Sequence, residues 1–332
     1  MNTSLITLNF GKKFLAANGM SILEAASKAN IMLPYSCKIG RCSSCKCRVI
    51  TGQTSLLRQE IGLTENEKKQ GWILSCCRSV DTDLLIDSDD LNNYILPAIK
   101  TLPCRISHIE LLALDVIKIK LRLPPGEEFH FLSGQYIDVI GPNGIRRSYS
   151  LANANFSSKL LELHIRAVEN GGMSDYWFKQ AKINDLLRLI GPQGTFFLRD
   201  TASLDLFFLA TGTGIAPIKS ILESFGERPI NLAPRSITVL WGGRKPADLY
   251  IDISKINGNF NYVPTLSRPD TNWKGGHGYV QQKLLALRRD LSQAAVYACG
   301  SDSMIQSAKA ELTQAGLPDK RFYSDAFVPS GI

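Results

Sequence analysis

Cys37-Lys38-Ile39-Gly40-Arg41-Cys42-Ser43-Ser44-Cys45 carries three thiols at C-x4-C-x2-C spacing, with a glycine inside the run. The glycine marks a tight loop, and Cys76 follows downstream as a candidate fourth ligand. Such spacing holds a [2Fe–2S] cluster on thiolates. A structural zinc site also takes four cysteines, but its pairs usually run C-x2-C…C-x2-C. If the cluster is present, the protein moves single electrons, and their source should lie elsewhere in the chain.

The remaining composition narrows the setting. A chain of 332 residues suggests two or three domains. The eight cysteines stand at 37, 42, 45, 47, 76, 77, 104 and 299, a clustering that points to metal binding rather than disulfides. The net charge of +8 is spread without a long Lys/Arg block, which argues against a nucleic-acid partner. Apolar runs such as Leu204–Ala210 fall far short of the ~20 residues that span a bilayer. The N-terminal stretch has no basic region ahead of a long apolar core, so the reading is a cytoplasmic chain without a membrane span.

Outward from the loop, residues 1–95 read as one small α+β unit. Ser4–Phe10 and Phe14–Ala17 alternate like a strand pair. Ser21 to Glu24 predicts a capping box, opening a helix to about Ala29 with Ile22, Leu23, Ala26 and Ala29 inward. Pro34 ends any helix and delivers the chain to the loop. Cys47–Thr51 and Leu84-Leu85-Ile86 read as strands, and Leu63–Glu67 as a capped helical turn. Trp72–Cys77 reads as one extended apolar segment, on which Cys76 and Cys77 must point to opposite sides. Strands and one helix around a cysteine loop fit a β-grasp ferredoxin domain. Cys47, entering a strand, is read as packed.

Residues 92–102 read as a linker punctuated by Pro97 and Pro103. Residues 100–200 then carry six short β-like runs at 104–110, 116–123, 135–140, 147–152, 160–167 and 186–190. Turns at Pro124–Gly126, Gly141–Gly144, Asn155–Ser158 and Gly191–Gly194 separate them. This pattern predicts an antiparallel β-barrel, interrupted by one helix over Asp175–Ala181. Arg147 suits a phosphate, Tyr149 an aromatic face for a flavin ring, and Ser150 a hydroxyl near the hydride-accepting nitrogen. Gly171-Gly172-Met173-Ser174 opens the helix and offers backbone N–H groups to a pyrophosphate, though Ser174 also suits a plain helix cap. Together these residues favour FAD.

Residues 201–332 predict an α/β doubly wound nicotinamide-nucleotide domain. Leu204–Ala210 is a buried parallel strand. It feeds Thr211-Gly212-Thr213-Gly214-Ile215-Ala216-Pro217, and then a helix over Ile218–Phe225. Further strands at 236–241, 260–266 and 294–298 end at Gly242-Gly243-Arg244, Ser267-Arg268 and Cys299-Gly300-Ser301-Asp302. Ligands of open α/β sheets bind at such carboxyl ends. Cys299 there either positions a nicotinamide ring or is a small buried hydrophobe. In the tail, Phe327 either covers a flavin face, with Asp325 near the proton and hydride path, or packs in the core.

The order of modules resembles the ferredoxin–NADP reductase superfamily, in the branch with an N-terminal plant-type ferredoxin domain. The marks are Cys37/Cys42/Cys45/Cys76, Arg147-Ser148-Tyr149-Ser150, Gly171–Ser174, Gly191-Pro192-Gln193-Gly194, Thr211–Pro217 and Cys299-Gly300-Ser301. Apolar–small–Cys after Gly71-Trp72 matches such ferredoxin domains at Cys76. Arg146–Asn153, Leu161–Ala167, Gly191–Phe197, Val296–Ser301 and Phe322–Pro329 look most like the reductases of CDP-deoxysugar biosynthesis. The resemblance implies hydride transfer from NADH, with NADPH as the alternative, to FAD. Single electrons then pass through the cluster to a partner protein, either a PMP-dependent dehydratase or an oxygenase component. It also implies catalytic work for Ser150, Cys299 and Asp325, and an acceptor meeting the surface around Lys38, Arg41 and Ser43. Two departures stand out. Ser43 replaces the usual glycine after the second cysteine, and Arg268 with Arg244 resembles a 2′-phosphate site.

Overall fold

A computed structural model of the chain describes residues 3–154, 160–227 and 233–327. The expected turn at Asn155–Ser158, and the end of the Phe322–Pro329 stretch, lie outside the described residues. The chain divides into two compact units. One comprises Met1–Ile95 with the short run that begins at Ser324, and the other extends from Leu96 to Tyr323.

In the first unit, β1 (Thr3–Leu8) and β2 (Lys13–Ala17) form an antiparallel hairpin with Leu5 opposite Leu15. Then come α1 (Ile22–Lys28), β3 (Lys46–Thr51), β4 (Thr54–Leu56), α2 (Glu65–Lys69), β5 (Trp72–Leu74), β6 (Arg78–Val80) and β7 (Leu84–Asp87). The main sheet runs β2-β1-β7-β3-β5, with β1 and β7 parallel, while β4 and β6 form a separate ladder. The period-2 pattern puts Ile6 and Leu8 of β1 and Leu84 and Ile86 of β7 into one core, against Ile22, Ala25 and Ala26 of α1. Each fully buried aliphatic there contributes about 1.5–3 kcal/mol.

Local details depart from expectation for identifiable reasons. Ser21 caps α1 by accepting from the Glu24 amide at 3.2 Å. The Glu24 carboxylate turns to Lys28 at 3.2 Å instead of back to the cap. The complete capping box is at Thr64 and Glu67. Ala29 is the exposed C-cap, and Ala25 takes the inward place assigned to it. The segment from Trp72 to Cys77 is not one strand: the Cys77 amide donates to the Leu74 carbonyl at 2.8 Å, so both cysteines sit on a turn.

In the second unit, β8 (Lys100–Ala113), β9 (Val116–Arg122), β10 (Tyr136–Ile140), β11 (Arg146–Ser150), β12 (Leu160–Arg166), α3 (Gly172–Asp175) and β13 (Leu186–Gln193) come first. These strands form a six-stranded sheet of order β11-β10-β13-β8-β9-β12, in which all neighbouring strands pair antiparallel. Among the described residues its ends meet at a single bridge, Leu151 to Leu163, and no continuous ladder closes the sheet into a barrel. Pro103 lies inside β8, opposite Arg188. Pairing of β8 with β9 begins only at Arg105, so the missing proline donor falls where no ladder bond is needed. Gly191–Gln193 is strand, with Gly191 opposite Lys100 and Gln193 opposite Tyr136, rather than the expected turn.

The chain continues through β14 (Asp205–Thr211), α4 (Ile215–Ser224), β15 (Ser236–Gly243), β16 (Asn261–Leu266), β17 (Gly276–His277), α5 (Val280–Leu287), β18 (Ala294–Ser301), α6 (Asp302–Gln314) and β19 (Phe322–Phe327). The order is β17-β16-β15-β14-β18-β19, and β14, buried along nearly all its length, pairs in parallel with β15 and β18. α4 starts earlier than expected. Pro217 occupies its first turn, where no intrahelical donor is required. Within this unit, Lys219 on α4 reaches Glu162 on β12 at 3.0 Å, and Ser220 Oγ donates to the Asn153 carbonyl at 2.7 Å.

Candidate redox site

Four of the six cysteines of the first unit, Cys37, Cys42, Cys45 and Cys76, draw together as two pairs. Reciprocal amide-to-sulfur contacts of 3.4 Å join Cys37 and Cys42. Cys45 Sγ lies 3.3 Å from Cys76 Sγ. Two thiolates for each of two metal atoms is what a [2Fe–2S] cluster requires. The donor set therefore fits the two-metal group. One thiolate in each pair is favoured by its partner thiol, while Cys42 and Cys45 are raised. The Cys42 thiol, followed by the Ile39 and Cys42 amides, lowers Cys37 to about 6 against the opposing effect of burial. The Cys45 and Cys77 thiols hold Cys76 at about 3.

Cys77 Sγ lies 3.6 Å from Cys76 Sγ but makes its other contact outside the two cysteine pairs. Its sulfur lies 3.7 Å from the Gln59 carbonyl, and a Cβ on Gly40 would come within 2.6 Å of it. Gly40 has φ +81°, so glycine is needed there on both counts. Cys47 is buried, and desolvation pushes its thiol up to about 12. The Ser43 side chain donates to the Gly62 carbonyl.

A residue missed by sequence reasoning clamps the Cys76 turn. Buried Glu60 accepts from the Leu74 amide at 2.7 Å and from Arg78 Nη2 at 2.6 Å. Asp325, expected near the hydride path, belongs to this unit. It is buried and accepts from Ser36 Oγ at 2.5 Å, while Ser44 Oγ donates to the Ser324 carbonyl at 2.9 Å. Phe327, at the end of β19, is half-buried.

In the second unit, the pleat of β11 sets Arg147 and Tyr149 on one face. The Tyr149 hydroxyl accepts from Trp177 Nε1 at 2.9 Å, with the rings edge-on at 6.0 Å. Burial raises its phenol to about 12, so it stays neutral at physiological pH. Arg147 donates to the Arg146 carbonyl and has no carboxylate partner among the described residues, leaving a cation fit for phosphate. Ser150 ends the strand, buried. Ser174 Oγ accepts from the Val168 amide at 2.7 Å, tying down the loop ahead of α3, and Gly171 is the cap residue. Met173 packs on Gly141, where a Cβ would lie 2.4 Å from its sulfur. The α-turn of α3 widens over Tyr176–Gln180 into a π-turn in place of the longer helix expected.

The glycines at the carboxyl ends of β14 and β18 interlock. A Cβ on Gly214 would meet the Cys299 carbonyl at 2.2 Å, and one on Gly300 would meet Thr211 Oγ1 at 2.2 Å. Thr211 Oγ1 also accepts from the Ser301 amide at 3.1 Å. The turn therefore brings Thr211, Gly212, Thr213, Gly214, Cys299 and Gly300 together, with Cys299 fully buried. Arg166 of β12 joins them, its Nη1 3.2 Å from where a Gly212 Cβ would stand. Arg166 Nε is 3.2 Å from Asp115 by distance but lacks hydrogen-bond alignment, and Nη2 is buried without a partner. A guanidinium over a glycine turn, with a buried Nη2 that has no hydrogen-bond partner among the described residues, fits a phosphate-bearing cofactor. The sequence signal was the alternation Glu162, His164, Arg166. Arg244 and Arg268 lie farther out, both exposed, their loops joined by the Arg268 amide donating to the Arg244 carbonyl at 3.1 Å.

Comparison with known proteins agrees with this geometry. Residues 7–81 match a 2Fe-2S iron-sulfur cluster binding domain, 103–198 an oxidoreductase FAD-binding domain, and 208–310 an oxidoreductase NAD-binding domain. The chain is 40% identical to a CDP-6-deoxy-L-threo-D-glycero-4-hexulose-3-dehydrase reductase of Yersinia pestis, covering 96% of each. It is 31% identical to reductase component 1 of a terephthalate 1,2-dioxygenase of Comamonas, covering 96% of this chain and 95% of that one. Among solved structures, an Amycolatopsis cytochrome P450 reductase aligns over 99% of this chain and 100% of its own, with TM-score 0.74 and 25% identity. The chain belongs to the ferredoxin–NADP reductase family, in the branch that carries a 2Fe-2S domain, and is an NAD(P)H-dependent flavin/iron–sulfur oxidoreductase.

Proposed function

We propose that the chain delivers electrons to a PMP-dependent dehydratase in the 3-deoxygenation of a CDP-6-deoxysugar, the role of a CDP-6-deoxy-delta-3,4-glucoseen reductase. The observation that carries this is 40% identity along 96% of the chain to a 3-dehydrase reductase, against 31% to a dioxygenase component. The second reading, an oxygenase reductase, rests on that same 31% relative.

The division of labour follows the three segments 1–95, 100–200 and 201–332, which we propose as a β-grasp domain, a barrel-type FAD domain and a doubly wound nucleotide domain. When bound, FAD takes hydride from NAD(P)H and the [2Fe–2S] cluster relays single electrons outward. Cys37, Cys42, Cys45 and Cys76 hold the cluster. Arg147 neutralises the FAD phosphates, with the first-turn amides of Gly172, Met173 and Ser174 beside Gly171 as further donors. Tyr149, fixed by Trp177, supports the flavin ring, and Ser150 orients its hydride-accepting edge. Thr211, Gly212, Thr213, Gly214 and Gly300 let the nicotinamide nucleotide approach the backbone closely, Cys299 packs against its ring, and Arg166 meets its phosphates. Asp325 is assigned to holding the cysteine loop through Ser36, and Phe327 to packing beside it. NADH is the preferred coenzyme. All eight cysteines are unbridged, which supports a reducing, cytoplasmic setting.

The test is reconstitution with NADH, the dehydratase and its CDP-hexulose substrate, scored by the 3-deoxy product. Electron delivery to a ring-hydroxylating oxygenase with none to the dehydratase rejects the reading.

A further inference from the structure

The loop that covers the cluster cysteines lies beside the segment 57–62. The Gly62 amide donates to the Gly40 carbonyl at 2.9 Å, and Arg58 Nη1 donates to the Lys38 carbonyl at 3.0 Å. Cys42 and Cys45, carried by the same loop, are buried. Yet Ile39, Leu57 and Ile61, which the two segments carry, are 46%, 41% and 57% exposed. Scattered surface aliphatics need no explanation, but three on adjoining backbone over a redox centre form a patch.

The charge around it has one sign. Residues 37–62 contain Lys38, Arg41, Lys46, Arg48 and Arg58 against a single acid, Glu60. Glu60 is buried and paired with Arg78. Lys46 is engaged by Glu67 at 2.9 Å. Arg41 and Arg58 form no ion pair among the described residues. What faces outward is an aliphatic centre with a cationic rim.

We propose that this face docks the electron-accepting protein, and that the partner's own face is apolar at its centre and acidic at its rim. The inference rests on the electron-delivery reading above and adds the chemistry of the contact. A dry aliphatic centre would bring the acceptor's redox group close to the loop whose cysteines would hold the cluster. The rim cations steer an acidic surface during encounter, an effect on association rate that salt screens.

The test uses the cluster-loaded full chain, NADH and the purified 3-dehydrase as acceptor, with rates measured across a salt series. Arg41→Glu combined with Arg58→Glu should slow delivery about tenfold or more at low salt, the difference closing at high salt. Ile61→Asp should slow delivery at every salt concentration. NADH-driven ferricyanide reduction and the visible spectrum should match wild type in both variants, which shows that they fold and load. Wild-type delivery rates in both variants overturn the docking face. A concentration-dependent dimer that Ile61→Asp dissolves assigns the patch to a second copy and also overturns it. A wild-type protein that reduces ferricyanide but never the dehydrase defeats the acceptor reading itself.

Discussion

The phenolic oxygen of Tyr250 lies 3.1 Å from Nδ1 of His164, whose Nε2 is 3.1 Å from Glu162 Oε1. Glu162 in turn meets Lys219 at 3.0 Å. This polar chain links β12 to α4 and to the segment after β15. A neutral imidazole that accepts from Tyr250 and donates to ionised Glu162 satisfies every partner.

Burial, followed by the opposing pull of Glu162, leaves His164 below its ordinary value. The unfolded chain therefore binds a proton near pH ~6.5 that the folded state refuses. Stability from this group is complete above that pH and is lost as pH falls towards the folded value. Urea midpoints at pH 7.5 and 5.5 should differ in the wild type, and the difference should shrink in His164→Gln. Tyr250→Phe should cost about 1 kcal/mol at pH 7.5. Equal midpoints at the two pH values in the wild type refute the assignment.

Glu60 offers a sharper test of the cluster turn. Its carboxylate joins the Leu74 amide to Arg78 with almost no exposure. Removing one partner of a buried pair costs about 3–5 kcal/mol. Glu60→Ala should unfold at distinctly lower denaturant and release its cluster faster to a chelator, while Glu65→Ala, on the exposed face of α2, should do neither.

How far these features were legible follows from their range along the chain. The cysteine loop is local, and its spacing alone points to Cys37, Cys42 and Cys45, whereas the partner of Cys45 lies 31 residues further on. β14 was legible because seven consecutive residues are almost wholly buried, which only an interior strand allows. The turn at Ser75–Cys77 was not, because a carboxylate at Glu60 decides where β5 stops. Gly191–Gln193 carries turn residues but is held extended by β8 and β10. The stripe Glu162, His164, Arg166 looks solvated by alternation, yet Lys219 and Tyr250 cover it, contacts that only the tertiary fold supplies.

Arg166 should matter for coenzyme binding more than for turnover. A charge-assisted contact contributes about 1.5–3 kcal/mol. Arg166→Ala should therefore raise KM for NADH by about 10- to 100-fold with a smaller fall in kcat. Arg166→Lys should recover part of the loss, because a point charge replaces a fork. An unchanged KM would show that the guanidinium serves packing.

Arg244 and Arg268 bear on coenzyme choice. NADH should be the better substrate. Any residual use of NADPH should fall in Arg268→Ala and in Arg244→Ala, with NADH kinetics held within about twofold, since a 2′-phosphate contact has no counterpart in NADH. A wild-type preference for NADPH that disappears in Arg268→Ala reverses the expected order.

Adjacent Cys76 and Cys77 give the most direct reading of the metal site. Cys76 Sγ is 3.3 Å from Cys45 Sγ, whereas Cys77 Sγ, 3.6 Å from Cys76 Sγ, makes its other contact with the Gln59 carbonyl, 3.7 Å away. Cys76→Ser removes one of two thiolates from one metal atom, and the visible absorbance of the cluster should be lost or much reduced. Cys77→Ser trades a buried thiol for a smaller hydroxyl at an unchanged cluster, so the spectrum should persist with a modest loss of stability, about 1 kcal/mol. Flavin absorbance and NADH-driven ferricyanide reduction should survive both changes, because neither residue lies in the flavin and nucleotide unit. Retention of the cluster in Cys76→Ser with loss in Cys77→Ser would exchange the two assignments.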